Sequence, residues 1–152
     1  MNRRAAGPTI IGIALALLLC LLVVPMLVVG SAQQTLEWIA RRAAGWVTYH
    51  RPHEVQKGRI GLWKNAVDKH GGGVFRSFSQ AFNLQLTKDP GATPEPIELG
   101  YRLGRHALAD MLEQQREMGI NHVMFNLSAI GRTVSEVMDE LARDVLPQFR
   151  RE

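Results

Sequence analysis

Gly30-Ser31-Ala32-Gln33, with Thr35 close behind, is the part of this chain best suited to chemistry. The apolar segment Pro25–Val29 runs into it, and an amphipathic segment beginning at Gln33 leaves it. A strand that enters a helix through small residues leaves main-chain N–H groups pointing out of the turn. The helix N-terminus adds partial positive charge there, so the unit suits a phosphate. Small side chains let the backbone approach closely, and the hydroxyls of Ser31 and Thr35 can donate to phosphate oxygens. The competing reading is a plain strand–helix turn.

A second group is Thr48-Tyr49-His50, at the end of another short apolar segment. Tyr49 and His50 are the candidate catalytic residues, because an imidazole can act as acid or base near neutral pH. Against this stands a solvated corner held by Pro52. His50 and His53 are three apart, but no cysteine or patterned carboxylate joins them, so no metal site is expected. The single cysteine, Cys20, excludes an internal disulfide and a cysteine metal cluster.

These groups need elements to hold them, and the hydrophobic periodicity supplies a set. Pro25–Val29 is a short strand, Gly30–Ala32 a turn, Gln33–Arg42 a helix and Gly45–Tyr49 a second strand. Glu54–His70 follows as a helix with Ile60, Trp63, Ala66 and Val67 on one stripe, closed by Gly71-Gly72-Gly73. Phe78–Leu86 alternates as a half-buried strand does, with Phe78, Phe82, Leu84 and Leu86 on one side. Thr87–Gly104, with Pro90, Pro94 and Pro96, is expected to be a long irregular loop.

Helix Arg105–Met118 then ends at Gly119, and Asn121–Leu127 is a strand. Thr133 and Glu136 form a capping box that opens a last helix. Its apolar stripe is Val134, Val137, Met138, Leu141, Ala142, Val145 and Leu146, and Pro147 is expected to stop it. Trp38, Trp46 and Trp63 are spaced as core residues. A strand followed by a helix four times over implies an α/β fold with a parallel sheet, and four such units are half of a (β/α)₈ barrel.

The chain has 152 residues, enough for one modest domain, and its 46% apolar and 21% charged content suits a globular protein. The net charge of +4 is scattered among acids, with no basic stripe, so nucleic acid is not an expected partner. Residues 5 to 36 carry no charged side chain, and residues 10–29 are long enough to span a bilayer, for which ~20 apolar residues suffice. Three readings compete. The run is a single-pass membrane anchor, a signal peptide cut near Gly30-Ser31-Ala32, or a hydrophobic leader (residues 1–24) joined to a domain (residues 25–152) whose first strand starts at Pro25. The last is preferred, the anchor next.

From about Pro25 to Phe149 the wording of the chain resembles the flavin-dependent luciferase-like (bacterial-luciferase-type) monooxygenases. The resemblance lies in the strand Pro25–Ala32 running into a helix with Glu37-Trp38, then Gly45-Trp46. It continues in Gly119-Ile120-Asn121-His122 before a strand, and in the ending Asp144-Val145-Leu146-Pro147…Phe149. One departure is Ala44, where the family usually has Asp. The resemblance implies the C-terminal half of a TIM barrel, with FMN (alternatively F420) as cofactor and a small organic substrate oxidised with oxygen or by hydride transfer. It implies that Gly30, Ser31, Ala32, Gln33 and Thr35 contact the flavin phosphate, and that the location is cytoplasmic. It also implies a missing N-terminal half, supplied elsewhere or replaced by a homo-oligomer. The alternative is a non-catalytic, truncated or membrane-tethered remnant of such an enzyme.

Overall fold

The computed structural model describes residues 25–128 and 131–149. Among the described residues are four α-helices and one six-stranded sheet. The strands are β1 (Leu27–Val29), β2 (Gly45–Tyr49), β3 (Ser77–Leu86), β4 (Glu95–Ile97), β5 (Gly100–Leu103) and β6 (His122–Asn126). The helices are α1 (Leu36–Arg42), α2 (His53–His70), α3 (Arg105–Met118) and α4 (Val134–Glu140).

β1, β2, β3 and β6 are all parallel, and each pairs with the next, so the strand order follows the chain without reversal. Side chains alternate across a strand, so the register sorts them by face. Val28 lies beside Trp46 and Trp46 beside Phe78, while further along Phe82 lies beside Phe125. This face carries every helix. Ile39 and Ala40 of α1 and Ile60, Trp63 and Ala66 of α2 pack on Val28, Trp46 and Phe78. Leu108 of α3 and Val137 of α4 pack on Phe82, Leu84 and Leu86. The result is two layers, one of helices and one of sheet.

The opposite face of the sheet carries no Asp, Glu, Lys or Arg in β1, β2, β3 and β6, while the parallel β5 places Arg102 there beside Gln85. Val29, Val47, Ser79 and His122 form one row across it, and Tyr49, Ala81 and Met124 the next. Val47 and Ser79 at its centre are buried, whereas Leu27, Val29 and Tyr49 are 42%, 53% and 49% exposed. Glycine is required at Gly45, in the preceding row between Leu27 and Ser77. A Cβ there would meet the Ser77 carbonyl at 2.7 Å, which explains the Gly in the Gly45-Trp46 pair.

Thr87–Gly104 is not the irregular loop the prolines suggest. It contains an antiparallel hairpin, β4–β5, whose second strand runs parallel to the end of β3. The Ala81 carbonyl accepts from the N–H of His50, and the N–H of Asn83 donates to Leu99. Residues two apart turn their main-chain groups to the same edge, so β5 continues along the edge of β3 where β2 stops, and β6 takes the other edge. The prolines tolerate this because Pro96 sits on β4, which pairs only with β5.

The last helix also departs from expectation. Its capping box forms as read, with the Thr133 hydroxyl accepting from Glu136 N–H and the Glu136 carboxylate from Thr133 N–H. Regular α-helix ends at Glu140, however, and passes through a π-helical turn at Leu141–Val145 into a 3₁₀ turn at Leu146–Phe149. Pro147 therefore sits inside the final turn and does not stop the chain at that point. Val137, Leu141 and Val145 are buried, but Val134, Met138 and Leu146 face solvent, a narrower stripe than the apolar spacing implies. Trp38 is likewise 36% exposed, because α1 turns Ile39 and Ala40 to the sheet, while Trp46 and Trp63 are core.

No described helix is long and apolar enough to cross a membrane. The end of the apolar run, Leu27–Val29, is paired to β2 as a strand, so a spanning segment does not reach Val29. Residues 1–24, the expected leader, lie outside the described residues.

Candidate functional site

The C-terminal ends of β1 and β2 bring the expected site residues to one end of the sheet. Gly30 ends β1 with φ +61, a left-handed conformation that glycine adopts without strain. Both of its main-chain groups are engaged: its N–H donates to the Val47 carbonyl at 2.8 Å, and its carbonyl accepts from the Trp46 indole at 2.6 Å.

Beyond Gly30 the chain makes a tight turn in which Gln34 N–H donates to the Ser31 carbonyl at 2.8 Å. Its two central residues, Ala32 and Gln33, have φ of +44 and +59. Left-handed conformations cost a residue with a Cβ roughly 1 kcal/mol or more, so this turn is held against local preference. Backbone strain of this kind gathers at binding sites more than at plain connections.

The helix begins later than its sequence suggests. Gln33 is a turn residue, and α1 starts at Leu36 with Thr35 as its N-cap, accepting from Trp38 N–H at 3.2 Å. The helix dipole is therefore centred three residues beyond Gln33, and α1 is only seven residues long. An anion at Gly30–Gln33 would rely on the turn itself. Among the described residues, none accepts from the N–H of Ser31, Ala32 or Gln33. The Ser31 hydroxyl is exposed, and the Thr35 hydroxyl can donate its proton while its oxygen caps the helix. These residues fit a phosphate group in chemistry and in access.

Tyr49 and His50 do not act together. Tyr49 projects from the helix-free face. His50 follows it onto the helix-covered side, where its ring meets Phe82 and Tyr101 edge-on, each with centroids 5.2 Å away. Burial holds the His50 imidazole below its ordinary pKa, with the Gln80 side chain opposing and the charge of Arg51 assisting. His50 is thus a largely neutral, half-buried ring at neutral pH, separated by the sheet from whatever meets Tyr49. Thr48 is buried on the same side as His50.

His53 caps no metal cluster: among the described residues, no group of three or more His, Cys, Asp and Glu side chains could hold an ion. Its nearest ionic partner is the exposed Glu54, at 3.9 Å. Periodicity alone missed three buried glutamines, Gln56, Gln80 and Gln115. The signal was present in one case, since Gln80 occupies an apolar position of the Phe78–Leu86 alternation.

No protein-family model matches the chain, and no curated protein matches it. The resemblance to luciferase-like monooxygenases therefore rests on the motifs in the sequence.

Proposed function

We propose that this chain is one half of a TIM-type barrel and serves flavin-dependent oxidoreduction of the luciferase-like monooxygenase type, acting on a small organic substrate. The observation that carries the reading is the winding. β1, β2, β3 and β6 are parallel and neighbour one another in chain order, the parallel β5 of the hairpin shares one edge of β3, and the four described α-helices lie on one face. Doubly wound sheets reverse their strand order and cover both faces, whereas barrels wind one way with helices outside. The opposite face, free of charged side chains in β1, β2, β3 and β6, then corresponds to a barrel interior, and the Gly30–Gln33 turn sits at the C-terminal ends of the strands, where barrels place their sites.

On this reading Gly30, Ser31, Ala32, Gln33 and Thr35 hold the phosphate of FMN, or the corresponding phosphate of F420. Tyr49, on the interior side, faces the flavin and substrate, and His50 supports the strand end from outside. The flavin supplies the redox chemistry, and the protein binds, orients and shields it. The chain would work in the cytoplasm, where reduced flavin is made.

A second reading, a non-catalytic remnant that binds flavin poorly, is favoured by one observation. Among the described residues, the free edges of β1 and β6 have no partner strand. Flavin titration of the purified chain separates the two. Saturable quenching of FMN fluorescence at micromolar protein supports the oxidoreductase reading. No quenching at about 100 µM, a range in which a weak specific ligand is still detected, would leave the remnant.

A further inference from the structure

We propose that the cavity bounded by the end of β2, the start of α2, β3, β5 and α3 is a binding site for a small oxyanion of carboxylate size. It lies on the helix-covered side of the sheet, away from Tyr49, and does not depend on flavin binding. Its volume is about 100 Å³. Gln56, Gln80 and Gln115 line it, with His50 and Tyr101 as walls and Arg51 beside them.

The three glutamines are 1%, 0% and 4% exposed, in a layer whose other buried side chains are mostly apolar. Gln56 Nε2 donates to Thr48 Oγ1 at 3.1 Å and to Gln80 Oε1 at 2.8 Å. This ties the two amides together and leaves Gln56 Oε1 and Gln80 Nε2 without partners. His50 Nδ1 and Gln115 Oε1 are also buried and unpaired. Buried polar atoms are nearly always satisfied, so four unpaired ones around one space mark a missing polar occupant.

The chemistry of that occupant follows from the lining. If the linked amides of Gln56 and Gln80 turn over together, Gln56 Nε2 becomes the free donor in place of Gln80 Nε2, so one amide N–H remains available either way. Gln115 can turn its own Nε2 inward by the same rotation, and neutral His50 can carry its proton on Nδ1. No carboxylate lines the cavity, while Arg51 and His53 bring basic groups to it. His53 lies 3.9 Å from the Glu54 carboxylate, whereas none of the described ion pairs involves Arg51. With Gln115 so turned and His50 in that tautomer, donors lie on several sides, and with a guanidinium nearby the lining suits a planar anion. A dry cavity of ~150 Å³ holds benzene, so this smaller one limits the anion to the size of formate or acetate.

The test uses the full chain and the side-chain amide NMR signals of Gln56, Gln80 and Gln115. Sodium acetate is titrated against sodium chloride at constant pH and ionic strength. The expected result is a saturable shift with a Kd on the order of 1 mM, reasonable for so few heavy atoms. Acetamide, of the same shape without charge, should bind at least about tenfold more weakly. Arg51→Gln should weaken acetate several-fold with an unchanged far-UV spectrum, and Gln80→Leu should abolish the shift. Absence of any saturable shift would show that water alone fills the space and overturn the proposal. Equal binding of acetamide, or full affinity in Arg51→Gln, would overturn it as well. The acetamide and Arg51→Gln arms decide the matter should Gln80→Leu fail to fold.

Discussion

The indole N–H of Trp46 donates to the carbonyl of Gly30 at 2.6 Å, so a core residue of β2 holds the turn that ends β1. The same indole packs against Trp63 of α2 and Phe78 of β3, with ring centroids 5.8 Å and 5.5 Å away. The proposed phosphate turn is thereby anchored to the packed layer rather than to its own short helix.

Trp46→Phe should keep much of the aromatic packing and remove the donor. A part-buried carbonyl left without its partner costs about 1–2 kcal/mol, read as a lower midpoint in urea denaturation. The amide signals of Ser31, Ala32 and Gln33 should broaden or move as the turn loosens. An unchanged midpoint with unchanged turn signals would show that the bond does not hold the turn.

Ser31→Glu places a carboxylate where the flavin phosphate is proposed to sit. FMN should weaken by roughly tenfold or more, corresponding to ~1–3 kcal/mol for a lost charge-assisted contact. Riboflavin, which lacks the phosphate, should lose much less. Equal losses for both ligands would make the turn structural only.

Glu140 is the centre of an ion cluster, 2.8 Å from Arg132 and 3.2 Å from Arg105, with its side chain only 8% exposed. Arg105 also reaches Asp144 at 3.8 Å, so the cluster joins the start of α3 to the end of α4. Removing one member of a buried pair leaves the others uncompensated, and Glu140→Ala should destabilise by roughly 3 kcal/mol. Exposed Arg143→Ala should change stability by about 1 kcal/mol or less. Similar thermal midpoints for the two variants would refute the distinction.

The buried setting of His50 gives stability a pH dependence of known sign. Its folded pKa lies below the ordinary 6.5, so in the mildly acidic range the unfolded chain binds a proton that the folded chain resists. This contribution is present above the unfolded pKa and is lost as pH falls through it toward the folded value. His50→Phe should therefore flatten part of the fall in thermal midpoint between about pH 7.5 and about pH 5. An identical slope in the variant would mean that other groups carry it.

Leu27, Val29 and Tyr49, exposed on the helix-free sheet face near the edge of β1 that has no partner strand among the described residues, are an association hazard. The purified chain should elute larger than a monomer in size-exclusion chromatography with light scattering. Val29→Lys combined with Tyr49→Lys should shift it toward the monomer, while Leu62→Lys, on the outer side of α2, should not. A monodisperse wild-type monomer would contradict this.

Much of the fold was legible in the residues, for local reasons. Alternation in Phe78–Leu86, the stripe through Ile60 and Trp63, the Thr133–Glu136 box and the left-handed Gly119 after α3 each depend on neighbours a few residues away. The motif Gly119-Ile120-Asn121-His122, by contrast, acts across the sheet. Asn121 bonds the Phe78 N–H through its side chain and the Phe78 carbonyl through its own N–H, which starts β6 in register. Four strand–helix units and an α/β fold follow from the local signals.

What pairing alone decided lies between distant segments. The β4–β5 hairpin is stabilised by the stretch of β3 edge that β2 leaves free, a vacancy no window around Pro90–Pro96 contains. Ala32 and Gln33 adopt left-handed turns because Trp46 and Val47 fix where Gly30 must end, so the helix starts at Leu36 and not at Gln33. Register sends Tyr49 and His50 to opposite faces, dividing a pair that adjacency had joined. The buried glutamines meet only because α2, β3 and α3 converge, and the Gln56–Gln80 hydrogen bond there stands in place of the apolar burial that periodicity detects. Local preference acts through a few neighbouring residues, whereas strand register and buried polar contacts depend on which remote partners the packed layers bring within hydrogen-bond reach.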